Sequence, residues 1–163
     1  MSGHGDIWKV APWPDGWTVR HVAETGSTNA DLLADLAAGL VGDRSVLVTD
    51  HQTAGRGRLD RRWDAPPGTN LLVSIALAPV PSVAADATHR VGLAALSAVR
   101  DVRPDAQVAL KWPNDLLVDD RKLAGILAQR SSTRDAVVVG LGLNVSWAPD
   151  GAARLGSSVR PAD

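Results

Sequence analysis

The chain has 163 residues, 45% of them apolar and 21% charged, a balance that fits one folded domain and argues against disorder. It has no cysteine, which rules out disulfides, thiolate metal sites and a cysteine nucleophile, and its net charge of −1 is not the footprint of a nucleic-acid binder. No signal-peptide pattern opens it, and the longest apolar stretch, Leu71 to Val80, is too short to span a bilayer. The expectation is a cytoplasmic protein with no membrane and no nucleic-acid partner. Only three of its 17 basic residues are lysines, Lys9, Lys111 and Lys122.

In chain order, residues 1–16 read as a flexible leader, and Trp17 to Val22 alternates apolar with polar side chains as a half-buried strand does. Ser27-Thr28-Asn29 are good helix caps, and Leu32, Leu33, Leu36, Ala37 and Leu40 follow at helical spacing until Gly42. Ser45 to Thr49 is a strand, and Asp50 to Gly68 a polar loop rich in glycine and arginine. Asn70 to Leu77 is a buried strand, and Val83 to Val99 a packed helix fed by Pro81. Gln107 to Trp112 is a strand stopped by Pro113. Asp115 to Val118 and Lys122 to Gln129 then form a hairpin about the charged turn Asp119-Asp120-Arg121. Ala136 to Val145 closes the set. Six or seven strands interrupted irregularly by two helices predict an α+β fold with a mixed sheet.

Three segments carry chemistry. The loop from Gln52 to Trp63 holds Arg56, Arg58, Arg61 and Arg62 against one Asp60. Its glycines at 55 and 57 let backbone approach a ligand, and its guanidiniums are bidentate donors for phosphate or carboxylate. It is neither a P-loop nor a dinucleotide fingerprint, since no Gly-Lys-Ser/Thr follows and it opens no helix. The second segment, Leu110 to Leu127, places Asn114 and Asp115 after a strand as hard-oxygen groups for a ribose or a hydrated magnesium ion, with Lys122 and Gly125 beyond the turn. In the third, Gly140 to Asn144 (GLGLN), two glycines share one strand face and leave space for a flat ligand.

TGSTN (25–29), QTAGRGR with a following Trp and PPG (52–68), KWPND (111–115), RKLAGIL (121–127) and VVGLGLN (138–144) occur in this order and spacing. Together they make residues 17–147 resemble the biotin–protein ligase family. The resemblance implies a catalytic domain built on a mixed, largely antiparallel sheet with flanking helices, like that of class II aminoacyl-tRNA synthetases. It implies two steps: biotin's carboxylate attacks the α-phosphate of MgATP to give biotinyl-5'-AMP, and a lysine of a biotin carboxyl carrier protein domain takes the acyl group. By the same resemblance Ser27, Thr28 and Gln52 would bind biotin's polar head with Asn29 alongside. Arg56, Gly57 and Arg58 would close over carboxylate and phosphates, and Trp63 would cover acyl chain or adenylate. Lys122 would neutralise the carboxylate and α-phosphate, so that Lys122, Arg56 and Arg58 form the catalytic set. Gly125 and Gly142 would give floor space. Lys111, Asn114, Asp115 and Asn144 would serve the nucleotide, and Asn114 and Asp115 the Mg2+.

Two departures matter. Leu59-Asp60 interrupts the basic run before Arg61, and the chain stops 19 residues beyond Asn144. The expectation is a C-terminally truncated catalytic domain with a polar tail over 148–163, without an N-terminal winged helix or a C-terminal β-barrel. Its last strand, Ala136 to Val145, is expected to leave apolar surface exposed. The alternatives are a biotin- or adenylate-binding fragment without transfer activity, and a lipoate or octanoate transferase of the same fold.

Overall fold

The computed structural model describes residues 13–80 and 84–156. Most of the expected leader, 1–12, and the end of the expected tail, 157–163, lie outside the described residues. Seven strands form one sheet in the order β1-β2-β3-β7-β6-β5-β4. They are β1 (Thr18–Thr25), β2 (Ser45–Gln52), β3 (Leu71–Leu77), β4 (Val108–Lys111), β5 (Asp115–Val118), β6 (Arg121–Arg130) and β7 (Val137–Leu143). β1 and β2 are parallel, joined by helix α1 (Thr28–Ala37), and the other neighbours are antiparallel. The second helix, α2 (Ala84–Val102), joins β3 to β4. This is the expected mixed α+β sheet with flanking helices.

Each helix covers one face, as the alternation of β7 records. Val137, Val139 and Leu143 pack in the core with α2 residues such as Ala87, Val91 and Val99, whereas Val138 joins Leu32 and Leu36 of α1, Leu47 and Ala76. Leu32 and Leu36 recur after one helical turn and are each only 2% exposed, so each contributes about 1.5–3 kcal/mol by burial. Val137, Val138 and Val139 are all buried. The expectation of an exposed apolar last strand is therefore corrected: helices cover it on both faces.

Several boundaries differ from the sequence reading. The first strand runs on to Thr25, where the parallel ladder with β2 reaches Gln52. α1 ends at Ala37 rather than at Gly42, because Gly39 turns the chain at φ +73 and leaves Leu40 outside the helix and exposed. Ser27 occupies the N-cap position, but its side chain makes no capping bond. α2 extends to Val102. The two-residue β5–β6 turn has both Asp119 (φ 49) and Asp120 (φ 59) in the left-handed region, the geometry that matches the twist of a tight hairpin.

Residues 148–156, read as the start of a polar tail, lie against the sheet. Ala153 and Leu155 are buried in the α2-side core, and their N–H groups donate to the carbonyls of Lys122 and Asn144 at 2.8 and 3.1 Å. Away from the site, the Ala78 N–H donated to Asp43 holds that carboxyl below its usual range.

Candidate active site

A cavity of about 490 Å3 opens on the α1 side of the sheet, between the start of α1, the strands β6 and β7, and the arginine loop. Its floor is made by register. Gly142 pairs with Leu72 on one side and with Gly125 on the other, while Gly140 pairs with Ser74 and Leu127. The spacing of the three glycines leaves a shelf without side chains. A Cβ on Gly140 would run into the Asn29 amide, and one on Gly142 into the Trp63 indole. A Cβ on Gly125 would stand 3.1 Å from Trp63 Cζ3 and 3.3 Å from Lys122 Nζ.

Lys122 reaches this floor through an irregularity that alternation does not foretell. Strict period two would put residue 122 on the face of Ala124 and Ile126, against α2. The β5–β6 register instead passes from Leu116↔Ala124 to Leu117↔Lys122, leaving Leu123 as an extra residue. This bulge sinks Leu123 into the α2-side core at 0% exposure and re-aims Lys122 beside Gly125. The ammonium forms an ion pair with Asp115 at 2.8 Å and lies 5.7 Å from the centre of the Trp63 ring. Behind it, the Ala153 N–H anchors the carbonyl of Lys122.

Opposite stands the polar start of α1. The Thr28 N–H and hydroxyl lie 2.8 and 3.0 Å from Gln52 Oε1. Asn29 Nδ2 donates to the Leu127 carbonyl and to Gln129 Oε1, and its Oδ1 accepts from Ser74. Ser27, Thr28, Asn29 and Ser74 are all buried.

The arginine loop forms the rim and folds back on itself. Arg56 bridges Arg62, the Gly57 N–H donates to the Arg61 carbonyl at 2.7 Å, and the Trp63 N–H donates to the Gly55 carbonyl. The tip residues Leu59 and Asp60 both have positive φ, 56 and 57. Arg58 donates to Asn114 Oδ1 across the cavity at 3.1 Å, and Arg62 pairs with Asp64. The Trp63 Nε1 is buried with no hydrogen-bond partner among the described residues.

Of the sequence candidates, Ser27, Thr28, Asn29, Gln52, Arg56, Gly57, Arg58, Trp63, Asn114, Asp115, Lys122, Gly125, Gly142 and Asn144 all line this cavity. Lys111 does not. It is exposed on β4 and lies outside the lining. Two others reach the lining with their side-chain amides already committed. Asn29 is bonded as above, and Asn144 donates to the Ala153 carbonyl while its Oδ1 accepts from Asn70. Both amides brace the walls. Ser74, Gln129 and Asn70 were absent from the sequence candidates. For Ser74 a signal existed, a lone hydroxyl inside the apolar run LLVSIAL.

Among the described residues no group of three or more His, Asp or Glu side chains gathers as a metal cage. The lining carboxylates are Asp64 and Asp115, each paired with a cation. With the Asn114 oxygen, which accepts from Arg58, they are too few for an all-protein magnesium site. No helix among the described residues is long and apolar enough to cross a membrane.

The chain is 47% identical over 135 residues to a biotin–[acetyl-CoA-carboxylase] ligase of Mycobacterium tuberculosis, covering 79% of this chain and 50% of that protein. It is 41% identical over 140 residues to the corresponding ligase of Paracoccus denitrificans, covering 81% and 56%. The chain thus spans about half the length of these curated relatives. A biotin protein ligase from Aquifex aeolicus solved in complex with biotin and ATP superposes with a TM-score of 0.73 at 30% identity, covering 85% of this chain and 59% of that one. Residues 23–145 match the Biotin/lipoate A/B protein ligase family, and the chain belongs to it.

Proposed function

We propose that this chain carries the biotin-activating site of a biotin–protein ligase. Biotin's carboxylate oxygen attacks the α-phosphorus of MgATP, pyrophosphate leaves, and biotinyl-5'-AMP forms. The ε-amine of a lysine on a biotin carboxyl carrier protein domain then attacks the acyl carbon, AMP leaves, and the amine loses a proton. The observation that carries this reading is one cavity with a polar head-group pocket at Thr28 and Gln52, a side-chain-free shelf at Gly125 and Gly142, and a cationic rim. Two anions must be brought together for the first step. The floor supplies Lys122 and the rim Arg56 and Arg58 where charge accumulates, and acid-base chemistry is not required.

Ser27, Thr28 and Gln52 hold the ureido ring, and the shelf takes the bicycle. Trp63 covers the acyl chain or adenylate, and Gly57 brings loop backbone over the carboxylate. Asn114 and Asp115 face the nucleotide, with magnesium entering as part of MgATP. The reaction runs in the cytoplasm.

Calorimetry with biotin, with and without ATP, together with pyrophosphate release, tests the proposal. Biotin binding with pyrophosphate formation is expected. Binding without pyrophosphate would leave a binding module. Binding of lipoate and not biotin would make the chain a lipoate enzyme of the same family.

A further inference from the structure

Residues 147–156, past the end of β7, form a strap along one wall of the cavity, which Trp147, Pro149 and Ala152 line. The Leu155 and Gly156 N–H groups donate to the carbonyls of Asn144 and Val145 at 3.1 and 2.9 Å, and the Asn144 amide donates to the Ala153 carbonyl at 3.0 Å. These bonds tie the strap to the chain that leads into it. A further bond comes from the other end of the sheet's helical layer, where Arg103 Nη1 donates to the Leu155 carbonyl. Arg103 follows α2 directly, and its N–H still donates to the Val99 carbonyl at 2.8 Å. A fork to the two oxygens of Asp105, at 3.2 and 3.4 Å, fixes its guanidinium.

The strap in turn gives one N–H to the cavity floor. Ala153 donates to the Lys122 carbonyl at 2.8 Å, at the bulge where the β5–β6 register slips past Leu123. A bulge interrupts the ladder that would otherwise fix the peptide plane, so the plane of the Lys122 carbonyl is set from the strap. That plane fixes the backbone from which the side chain springs, and a long side chain amplifies a small rotation at its root. The ammonium ends 2.8 Å from Asp115 and 5.7 Å from the centre of the Trp63 ring.

We infer that Arg103 is a positioning residue for Lys122. It pins the strap to the end of α2, the strap holds the bulge, and the bulge aims the ammonium, although Arg103 itself does not line the cavity. The consequence for rate rests on the functional reading above, in which Lys122 meets the charge that develops at the α-phosphate. The aim of Lys122 does not depend on that reading.

The chain has only three lysines, which makes this aim visible. Reductive methylation with carbon-13 formaldehyde labels all three and keeps their charge, and Lys122→Arg assigns the Lys122 signal. In the unaltered chain that signal should stand apart from the signal of exposed Lys111, displaced by the ring current of Trp63. Arg103→Met keeps the apolar stem and removes the donors, and should move the Lys122 signal towards that of Lys111. It should also lower kcat for pyrophosphate release about tenfold, with KM for biotin within about twofold. Arg103→Lys keeps a donor for the Leu155 carbonyl and should regain most of both. If Arg103→Met does not fold, as judged by its melting curve, Asp105→Ala releases the guanidinium from its fork and should move both readouts the same way by a smaller step. An unmoved signal, or an active chain whose kcat is unchanged in the variant, would overturn the inference and leave Arg103 a structural tie. If the unaltered chain releases no pyrophosphate, the functional reading fails, and the Lys122 signal alone still decides whether Arg103 sets its aim.

Discussion

The floor and the rim of the cavity are built on opposite plans. At the floor, Thr28, Asn29 and Ser74 are buried and bonded to β2, β3 and β6, so each polar atom is held by partners far apart in the chain. At the rim, Arg56, Arg58, Arg61 and Arg62 are exposed on a loop whose shape comes mostly from its own backbone bonds and two left-handed residues. The floor suits recognition of a rigid neutral ring, where misplacing one donor loses the fit. The rim suits phosphates that arrive, change partner and leave. Guanidiniums in water cost little to rearrange, and they gain strength when the site closes over them.

Substituting two of the floor glycines breaks this contrast most sharply. Gly140→Ala drives a Cβ into Asn29, whose amide bonds Leu127, Gln129 and Ser74, whereas Gly142→Ala meets the indole of Trp63, a residue of the rim loop. Gly140→Ala should lower stability by about 2–4 kcal/mol, overpacking and a broken buried bond together, and Gly142→Ala by less than about 1 kcal/mol. Urea titrations of the two variants decide it, and equal losses would mean that the two halves are equally stiff.

Next in size, Lys122→Ala should lower the rate of pyrophosphate release at saturating biotin and ATP by about a hundredfold, with biotin affinity little changed. This is the signature of a cation that acts on developing charge. A fall confined to affinity would assign Lys122 to ligand recognition in place of chemistry. Arg58→Lys keeps the charge but not the planar fork, and retention of biotinyl-5'-AMP should drop about tenfold. The leak is read by rapid sampling of free adenylate or by labelling of bystander lysines. The smallest effect belongs to the loop tip. Leu59 is 82% exposed at φ 56, so Leu59→Gly removes left-handed strain with little burial to lose and should raise stability by about 0.5 kcal/mol, visible as a higher Tm. A lower Tm would show that the tip is held by more than its backbone.

Much of this was legible in the chain itself, because the signals are local. The alternation of Trp17 to Val22, the apolar runs of β3 and β7, the Leu32–Leu36 repeat of α1 and the Asp119-Asp120 turn depend on residues within a few positions of one another. The glycines of β6 and β7 and the arginines between Gln52 and Trp63 are likewise read directly as a shelf and a cationic loop. Even so, helix ends shifted, since Gly39 and not Gly42 took the left-handed turn.

What the tertiary structure alone decided is where a side chain points and which of its atoms are free. The aim of Lys122 depends on one extra residue at Leu123, set by the pairing of β6 with β5 and by the pull of the α2 core on that leucine. The burial of Ala153 and Leu155 depends on an open edge beside Asn144 and Lys122 that no composition of the segment reveals. Asn29 and Asn144 read as ligand amides because their motifs contain them, and in the fold the Asn29 amide also bonds the Leu127 carbonyl, 98 residues away, while the Asn144 amide bonds Ala153 and Asn70. A motif lists the donors and acceptors available. Only the folded neighbours settle which of them still face the cavity, because each proton can be given once.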